Sequence, residues 1–421
     1  MNIHRLENNA FMEEKQGWER PGFFLRKRSD VSHYDWYGSY NFLRCHSSTY
    51  EKYLNGNLKY QFSDHYDIIR NEALTCRKHA VVFNMSYFGK MYLTGPDAEK
   101  AAEWLFTSSI KNKENKIIYT CALNDEGGVE ADLTFCKIKS FSKNFNENQT
   151  KGNCIYIVCG GASANYTYHF LDSEIKKKNF KAFLHNVTED IGILSIQGPK
   201  SLSILQKIVD ADISDSCFPK NTWIFGNIKT RTRKLKIKIL RVSFVGELGF
   251  ELHIPQSYCS EIYKYLMRIG KQFGLKNAGY RALYSLSSEK GYHLWGFDLR
   301  PDDTPVEANL AFTCKREIPY RGKKVVDEQR KTGVKKKLIY LTLDEHIPLW
   351  GLEGVYRNGN PIGFLRRGEY AYTLGKSIGQ LYLERRDGLK IDDEYINAGH
   401  YEIDSMGRFL EATCHLKSPL N

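Results

Sequence analysis

The sequence predicts an α+β fold that ends in a small β-barrel. Three observations predict it. Strand-like and helix-like segments alternate without the regular spacing of doubly wound βα units. No G-x-G-x-x-G lies between a strand and a helix, no P-loop occurs, and Gly160-Gly161-Ala162 lacks the third glycine. From about Arg321 onward, short strands separated by turns replace the mixed pattern.

Composition sets the bounds. The chain has 421 residues, enough for two or three domains, and 42% hydrophobic and 13% aromatic residues supply large cores. Met1 to Gln16 contains no apolar stretch of the secretory kind, and no window approaches the roughly 20 apolar residues of a membrane span. The reading is a soluble protein. Ten cysteines are scattered without a C-x-x-C or a neighbouring histidine cluster, so no metal site is expected. Cys121, Cys136, Cys154 and Cys159 lie in apolar strand patterns and read as buried thiols of a reducing compartment. Net charge is +12, with basic runs at Lys176–Lys178, Arg231–Lys238 and Lys335–Lys337. None is interleaved with aromatics as a nucleic-acid groove requires, so they read as solvated faces.

Taken in order, residues 1–57 read as a lead-in that packs against something larger, either this chain or a partner. It holds the turn-rich Gly17-Trp18-Glu19-Arg20-Pro21-Gly22 and the aromatic stretch Tyr34–Tyr40. His65–Ala80 has helical periodicity, Val81–Leu93 is strand-like, and Gly95-Pro96-Asp97 opens a helix through Leu105. Phe141–Gly152 is a polar loop. Ile155–Val158, Ile191–Ile196 and Leu235–Val245 are strands; Gly198–Ile208 and Cys259–Phe273 contain helices. The last unit has strands at Leu338–Thr342, Gly354–Tyr356, Ile362–Leu365, Ser377–Leu383 and Tyr401–Ile403, with a hairpin turn at Arg357-Asn358-Gly359-Asn360.

One hairpin organises the rest. Ile117–Leu123 leads into Asn124-Asp125-Glu126-Gly127-Gly128, and the glycine pair permits a tight reversal. Alternation along the returning strand puts Val129, Ala131, Leu133 and Phe135 on one face, and Glu130, Asp132 and Thr134 on the other. From spacing alone this is a solvent-facing strand or a site wall.

Several runs together carry a resemblance. They are Phe83–Lys90, the Gly127–Leu133 hairpin, Ser195-Ile196-Gln197-Gly198-Pro199 and Phe244–Glu251. These resemble the aminomethyltransferase, or glycine-cleavage T-protein, family. Gly17–Gly22, Glu289-Lys290-Gly291-Tyr292, Asp298–Asp303, Ala311–Lys315, Trp350–Glu353 and His415–Pro419 extend the likeness to the folate-binding half of the sarcosine dehydrogenase family. The resemblance implies an aminomethyltransferase-like domain at 58–320, a C-terminal barrel at 321–421, and a lead-in at 1–57 that would follow a flavin domain. It implies a mitochondrial matrix protein whose ligand is tetrahydrofolate, free or polyglutamylated. FAD belongs only to a missing or separate domain, so the chain reads as a fragment, a truncated member or a separate subunit. The implied reaction passes the carbon released by sarcosine N-demethylation to tetrahydrofolate, giving 5,10-methylenetetrahydrofolate. Two alternatives stay open: a true T-protein, and a silent regulatory subunit like that of pyruvate dehydrogenase phosphatase. Against the first, the T-protein Asp and His of an Asp-Val-Ser-His run are Asn84 and Tyr87 here.

The resemblance also implies site residues. Asp132 matches the carboxylate beside the folate amines, where an attacking amine must lose a proton. Glu247 matches the glutamate of Gly-Glu-x-Gly, able to accept two adjacent pterin donors. Tyr119 and Thr134 are candidate ligand contacts, Gly161 offers backbone near the ring, and Glu130 is a weaker candidate. Arg281 falls two residues out of register.

Overall fold

The computed structural model describes residues 8–15, 17–26, 61–111, 113–140, 151–230, 233–315 and 317–420. Tyr34–Tyr40, Cys45 and most of the Phe141–Gly152 segment lie outside them.

Two sheets form the body. The first runs Trp223–Lys229, Lys234–Leu240, Gly249–Pro255, Ile191–Gln197, Val81–Asn84 and Lys276–Asn277, antiparallel except for the last pair. The second runs Ile117–Leu123, Val129–Ser140, Lys151–Cys159, Gly89–Thr94 and Phe183–Asn186, antiparallel throughout. One core lies between the sheets, where Phe83, Ile193 and Leu240 meet Cys136, Ile138 and Tyr156. The outer face of the first sheet is covered by Cys259–Gly270, whose Ile262 and Leu266, one turn apart, pack with Ile196, Ile239 and Leu252. Ala98–Leu105 and Ala164–Lys177 cover the second sheet through Leu105, Leu171 and Ile175.

The C-terminal unit is a curled, seven-stranded antiparallel half-barrel. Its order is Asn360–Phe364, Gly354–Arg357, Tyr401–Ser405, Arg408–His415, Lys336–Leu343, Lys376–Glu384 and Arg367–Ala371. Its core is aliphatic (Ile339, Leu341, Leu381, Ile403), and a separate seam joins Leu338, Tyr340 and Tyr382 to Leu123, Val129 and Leu299 of the body. Residues 321–421 also carry two helices, Lys323–Thr332 ahead of the strands and the short Asp393–Asn397, so the unit is not entirely β.

Residues 10–24 form a hairpin, Ala10–Lys15 with Trp18–Phe24, seated on this same chain. Phe11 and Phe23 are buried and stacked 4.9 Å apart. Arg281 grips Glu13 with two hydrogen bonds of 2.9 and 2.5 Å.

Three sequence expectations change. Val81–Leu93 is two strands in different sheets. Asn84 Oδ1 accepts from the Ser86 N–H at 3.1 Å and Phe88 N–H bonds Met85 O, a side-chain-locked turn that carries the chain across. The Leu235–Val245 strand stops at Leu240, because Val242 and Val245 go into the inter-sheet core instead of pairing. The basic run there is not all solvated: Lys238 is fully buried, since the second half of its strand enters the same core.

Candidate functional site

The Gly127-Gly128 hairpin forms as its chemistry requires. Gly127 takes φ +80°, and a Cβ on Gly128 would lie 1.7 Å from the Pro301 carbonyl oxygen. Asn124 Oδ1 accepts from the Gly128 N–H at 2.8 Å and closes the turn. The register then slips. Leu123 pairs with Val129 but Ala122 with Ala131, a bulge at Val129-Glu130. The strict alternation expected from Val129 therefore fails. Val129 joins the seam with Leu123, while Ala131, Leu133 and Phe135 pack under the helices as expected.

Beyond the bulge, Cys121 faces Asp132 and Tyr119 faces Thr134. Tyr119 reaches diagonally to donate its phenol to Asp132 Oδ2 at 2.9 Å. Asp132 is half-buried. Burial pushes its pKa up; the Tyr119 hydrogen bond and the nearby His293 pull it partly back, and Asp298 pushes it up again. The phenol stays a donor, because burial and the Asp132 charge hold its pKa well above the usual value. Thr134 is half-buried and its hydroxyl meets no partner among the described residues. Glu130 is tied up by Asn124 Nδ2 at 3.0 Å and by the Tyr166 hydroxyl.

Glu247 sits in a different setting. It lies on the loop before Gly249–Pro255, with its side chain 24% exposed, and its Oε1 pairs with Arg77 Nη1 at 3.1 Å. The other arm of Arg77 holds Glu289, fully buried, at 2.6 Å. Glu247 Oε2 has no partner among the described residues. The segment after Glu289 links the two carboxylates. Lys290 packs on Gly246, Tyr292 stacks on Phe244 at 5.8 Å beside Arg77, and His293 acts on Asp132 while its Nε2 lies 2.8 Å from the Ala308 carbonyl oxygen.

Gly161 belongs elsewhere. A Cβ there would strike the Tyr87 carbonyl oxygen at 2.2 Å, and its own carbonyl accepts from Trp18 Nε1 at 3.3 Å, so protein already fills its surroundings. Arg281 is committed to Glu13. Arg77 and His293 went unpredicted. The only cue to Arg77 is a basic residue in the last turn of an amphipathic helix, which is ordinary.

A buried polar chain also crosses the inter-sheet core. Lys238 Nζ lies 3.0 Å from the Tyr92 hydroxyl and 3.3 Å over the Tyr156 ring. Tyr156 bonds His253 at 2.8 Å, and His253 bonds Glu251 at 3.1 Å. Burial pushes Lys238 and Lys90 down to about 7 and Glu251 up to about 7. The expected buried thiols, Cys121, Cys136, Cys154 and Cys159, are in place.

Two largely antiparallel sheets packed across one core, with a trailing half-barrel, are the architecture of the T-protein class. The chain belongs to that family: the GCVT N-terminal domain matches residues 2–317, and the glycine cleavage T-protein C-terminal barrel domain matches residues 336–420. It is 41% identical to mitochondrial sarcosine dehydrogenase of Mus musculus over 99% of this chain and 45% of that protein. It is 28% identical to the mitochondrial pyruvate dehydrogenase phosphatase regulatory subunit of Mus musculus, over 96% of this chain and 43% of that one. The chain thus spans less than half the length of these relatives. The fold matches the crystal structure of glycine cleavage system aminomethyltransferase T from Bartonella henselae, with TM-score 0.72 and 18% identity over 99% of this chain and 96% of that one. Among the described residues no helix is long and apolar enough to cross a membrane.

Proposed function

We propose that this chain is a tetrahydrofolate-binding one-carbon-transfer module of the sarcosine dehydrogenase type, forming 5,10-methylenetetrahydrofolate from the carbon of sarcosine N-demethylation. The observation that carries the reading is Asp132. It is a half-buried carboxyl, held by one phenol, with its pKa raised by burial and no ion pair to a cation among the described residues. Such a group can take up a proton from an amine that attacks an iminium carbon. Tyr119 fixes the carboxyl in place and remains its donor. Glu247 and Thr134 supply the polar contacts that orient the pterin. Their fit rests on Glu247 Oε2 and the Thr134 hydroxyl, both without protein partners among the described residues. Folate itself supplies the accepting amines.

In this reading residues 58–320 hold the ligand, 321–421 close it in from the barrel side, and the protein works in the mitochondrial matrix. FAD resides on a separate domain or subunit that meets the chain through residues 1–57, of which the hairpin 10–24 is already seated on the body. The likeness to a regulatory subunit supports a second reading, a catalytically silent regulatory subunit that takes up no folate. Calorimetric titration with tetrahydrofolate tests the proposal. Saturable, one-to-one binding is expected, and a flat titration would leave only the silent reading. An aminomethyl-lipoyl carrier, offered as donor in place of formaldehyde, should give no product; efficient transfer from it would make the chain a T-protein.

A further inference from the structure

His293 keeps only 8% of its surface open. Its Nε2 lies 2.8 Å from the Ala308 carbonyl oxygen. A carbonyl oxygen only accepts, so Nε2 carries the hydrogen of the neutral ring and Nδ1 keeps its lone pair. Nδ1 has no hydrogen-bond partner among the described residues. The fold thus selects a tautomer with an unused basic nitrogen.

One buried ion pair fixes both peptide flanks of this residue. Arg367 Nη1 donates to the Tyr292 carbonyl oxygen at 3.1 Å and to Asp298 Oδ2 at 3.2 Å. Asp298 Oδ1 accepts from the Leu294 N–H at 2.6 Å. The same loop is tied to the strand of Asp132, because Trp295 Nε1 donates to the Val129 carbonyl oxygen at 2.9 Å. Trp295 and Ala308 pack in one cluster with Tyr119, whose phenol holds Asp132. The imidazole therefore sits near the carboxyl, close enough for a charge on the ring to draw the Asp132 pKa down. The other groups around Asp132 are spoken for. Burial pushes up the thiols of Cys121 and Cys159 and the Tyr119 phenol, so all three keep their protons, and Asp298 is locked by Arg367.

We propose that His293 is the second acceptor of the transferred proton, taking it from Asp132 at Nδ1. The inference rests on the one-carbon-transfer reading of Asp132. On bonding the iminium carbon, the attacking folate amine becomes an ammonium. Its N–H bond breaks towards the Asp132 carboxylate, where an O–H bond forms. That O–H bond breaks in turn, through a bridging water, as an N–H bond forms at Nδ1. The imidazolium then releases the proton to solvent and Asp132 returns to a carboxylate, with no electron gained or lost. A ligand seated against Asp132 shuts water out on its own side. The proton must leave through the protein, and His293 is a base held there in a fixed orientation.

The test supplies formaldehyde and tetrahydrofolate to the full chain as wild type, His293→Gln and His293→Ala. Glutamine can still donate to the Ala308 carbonyl oxygen but cannot carry the proton. His293→Gln should lower the maximal rate at least about tenfold, with tetrahydrofolate affinity by calorimetry unchanged. Imidazole added to His293→Ala should restore the rate saturably, which a packing role would not allow. Independently of turnover, the Asp132 carboxyl carbon followed by NMR should titrate at higher pH in His293→Gln, because a positive neighbour is gone. A full rate in His293→Gln, or an Asp132 titration that the substitution leaves unmoved, overturns the proposal. So does a folded, slow His293→Ala that gains nothing from imidazole. If His293→Ala does not fold, His293→Gln decides alone. A wild type that does not accelerate the reaction overturns the transfer reading itself, and this relay with it, even where the NMR coupling is present.

Discussion

Asp132 and Glu247 are both half-buried acids, but one leans on a phenol and the other on a guanidinium. The phenol adds a single hydrogen bond and no charge, so burial wins and the Asp132 pKa rises. Arg77 gives Glu247 a permanent counter-charge and shares itself with the fully buried Glu289. The difference teaches a division of labour. A carboxyl whose proton can come and go suits proton transfer, and a carboxylate locked in an ion pair suits a fixed contact. The scaffolds agree: Asp132 is on a strand whose other face packs under two helices, whereas Glu247 rides a loop secured from a distant helix.

The comparison breaks most visibly at Arg77. Arg77→Ala leaves the buried Glu289 carboxylate with only Thr373 to satisfy it among the described residues, and the expected loss is about 3–5 kcal/mol in urea unfolding. A loss below about 1 kcal/mol would mean that the pair is not structural. Glu247→Gln keeps the shape and removes the charge. It should weaken tetrahydrofolate binding by roughly 1.5–3 kcal/mol, about 10- to 150-fold by calorimetry. Unchanged affinity would take the anchor role from Glu247.

Lys238 extends the phenol side of the comparison to a base. It is held by Tyr92 and Tyr156, and its folded-state pKa near 7 lies far below the ordinary 10.5. Between those values the unfolded chain binds the extra proton, so this group makes the wild type gain stability as pH rises from 7 to 10.5. Lys238→Met should flatten that rise by about 1.4 kcal/mol per pH unit. Identical slopes for the two proteins would show that Lys238 stays charged in the fold. The smallest effect belongs to Tyr119→Phe. Losing the hydrogen bond that lowers the Asp132 pKa should move the acid limb of the pH–rate profile to higher pH, with the plateau nearly unchanged. An unmoved limb would separate the two residues functionally.

Much of the fold was legible because it is local. The glycine pair announced the hairpin, turn residues announced the half-barrel, and apolar periodicity announced helices such as Tyr66–Lys78. What escaped was decided by tertiary contact. The bulge at Val129-Glu130 goes with a seam formed by Leu299 and Tyr340, remote in sequence, so alternation alone misplaced Val129. Lys238 read as a surface lysine because nothing within its strand shows that a second sheet covers it. The partner of Glu247 is 170 residues away. Asp132 and Glu247 themselves were picked out by resemblance, and no local spacing singles them out. Arg20 sat in a turn-rich lead-in, and the tyrosines around it, Tyr87, Tyr280 and Tyr284, come from two distant segments.

The central claim is that Asp132 accepts the proton. The direct measurement is the initial rate of 5,10-methylenetetrahydrofolate formation from formaldehyde and tetrahydrofolate, above the spontaneous rate, for wild type and Asp132→Asn. Asparagine is nearly isosteric and cannot take the proton. The account predicts a rate lower by about 10²–10⁴-fold, falling towards background, with tetrahydrofolate affinity changed by less than about tenfold, or 1.4 kcal/mol. A full rate in Asp132→Asn, or a rate lost only because binding is lost, would contradict it.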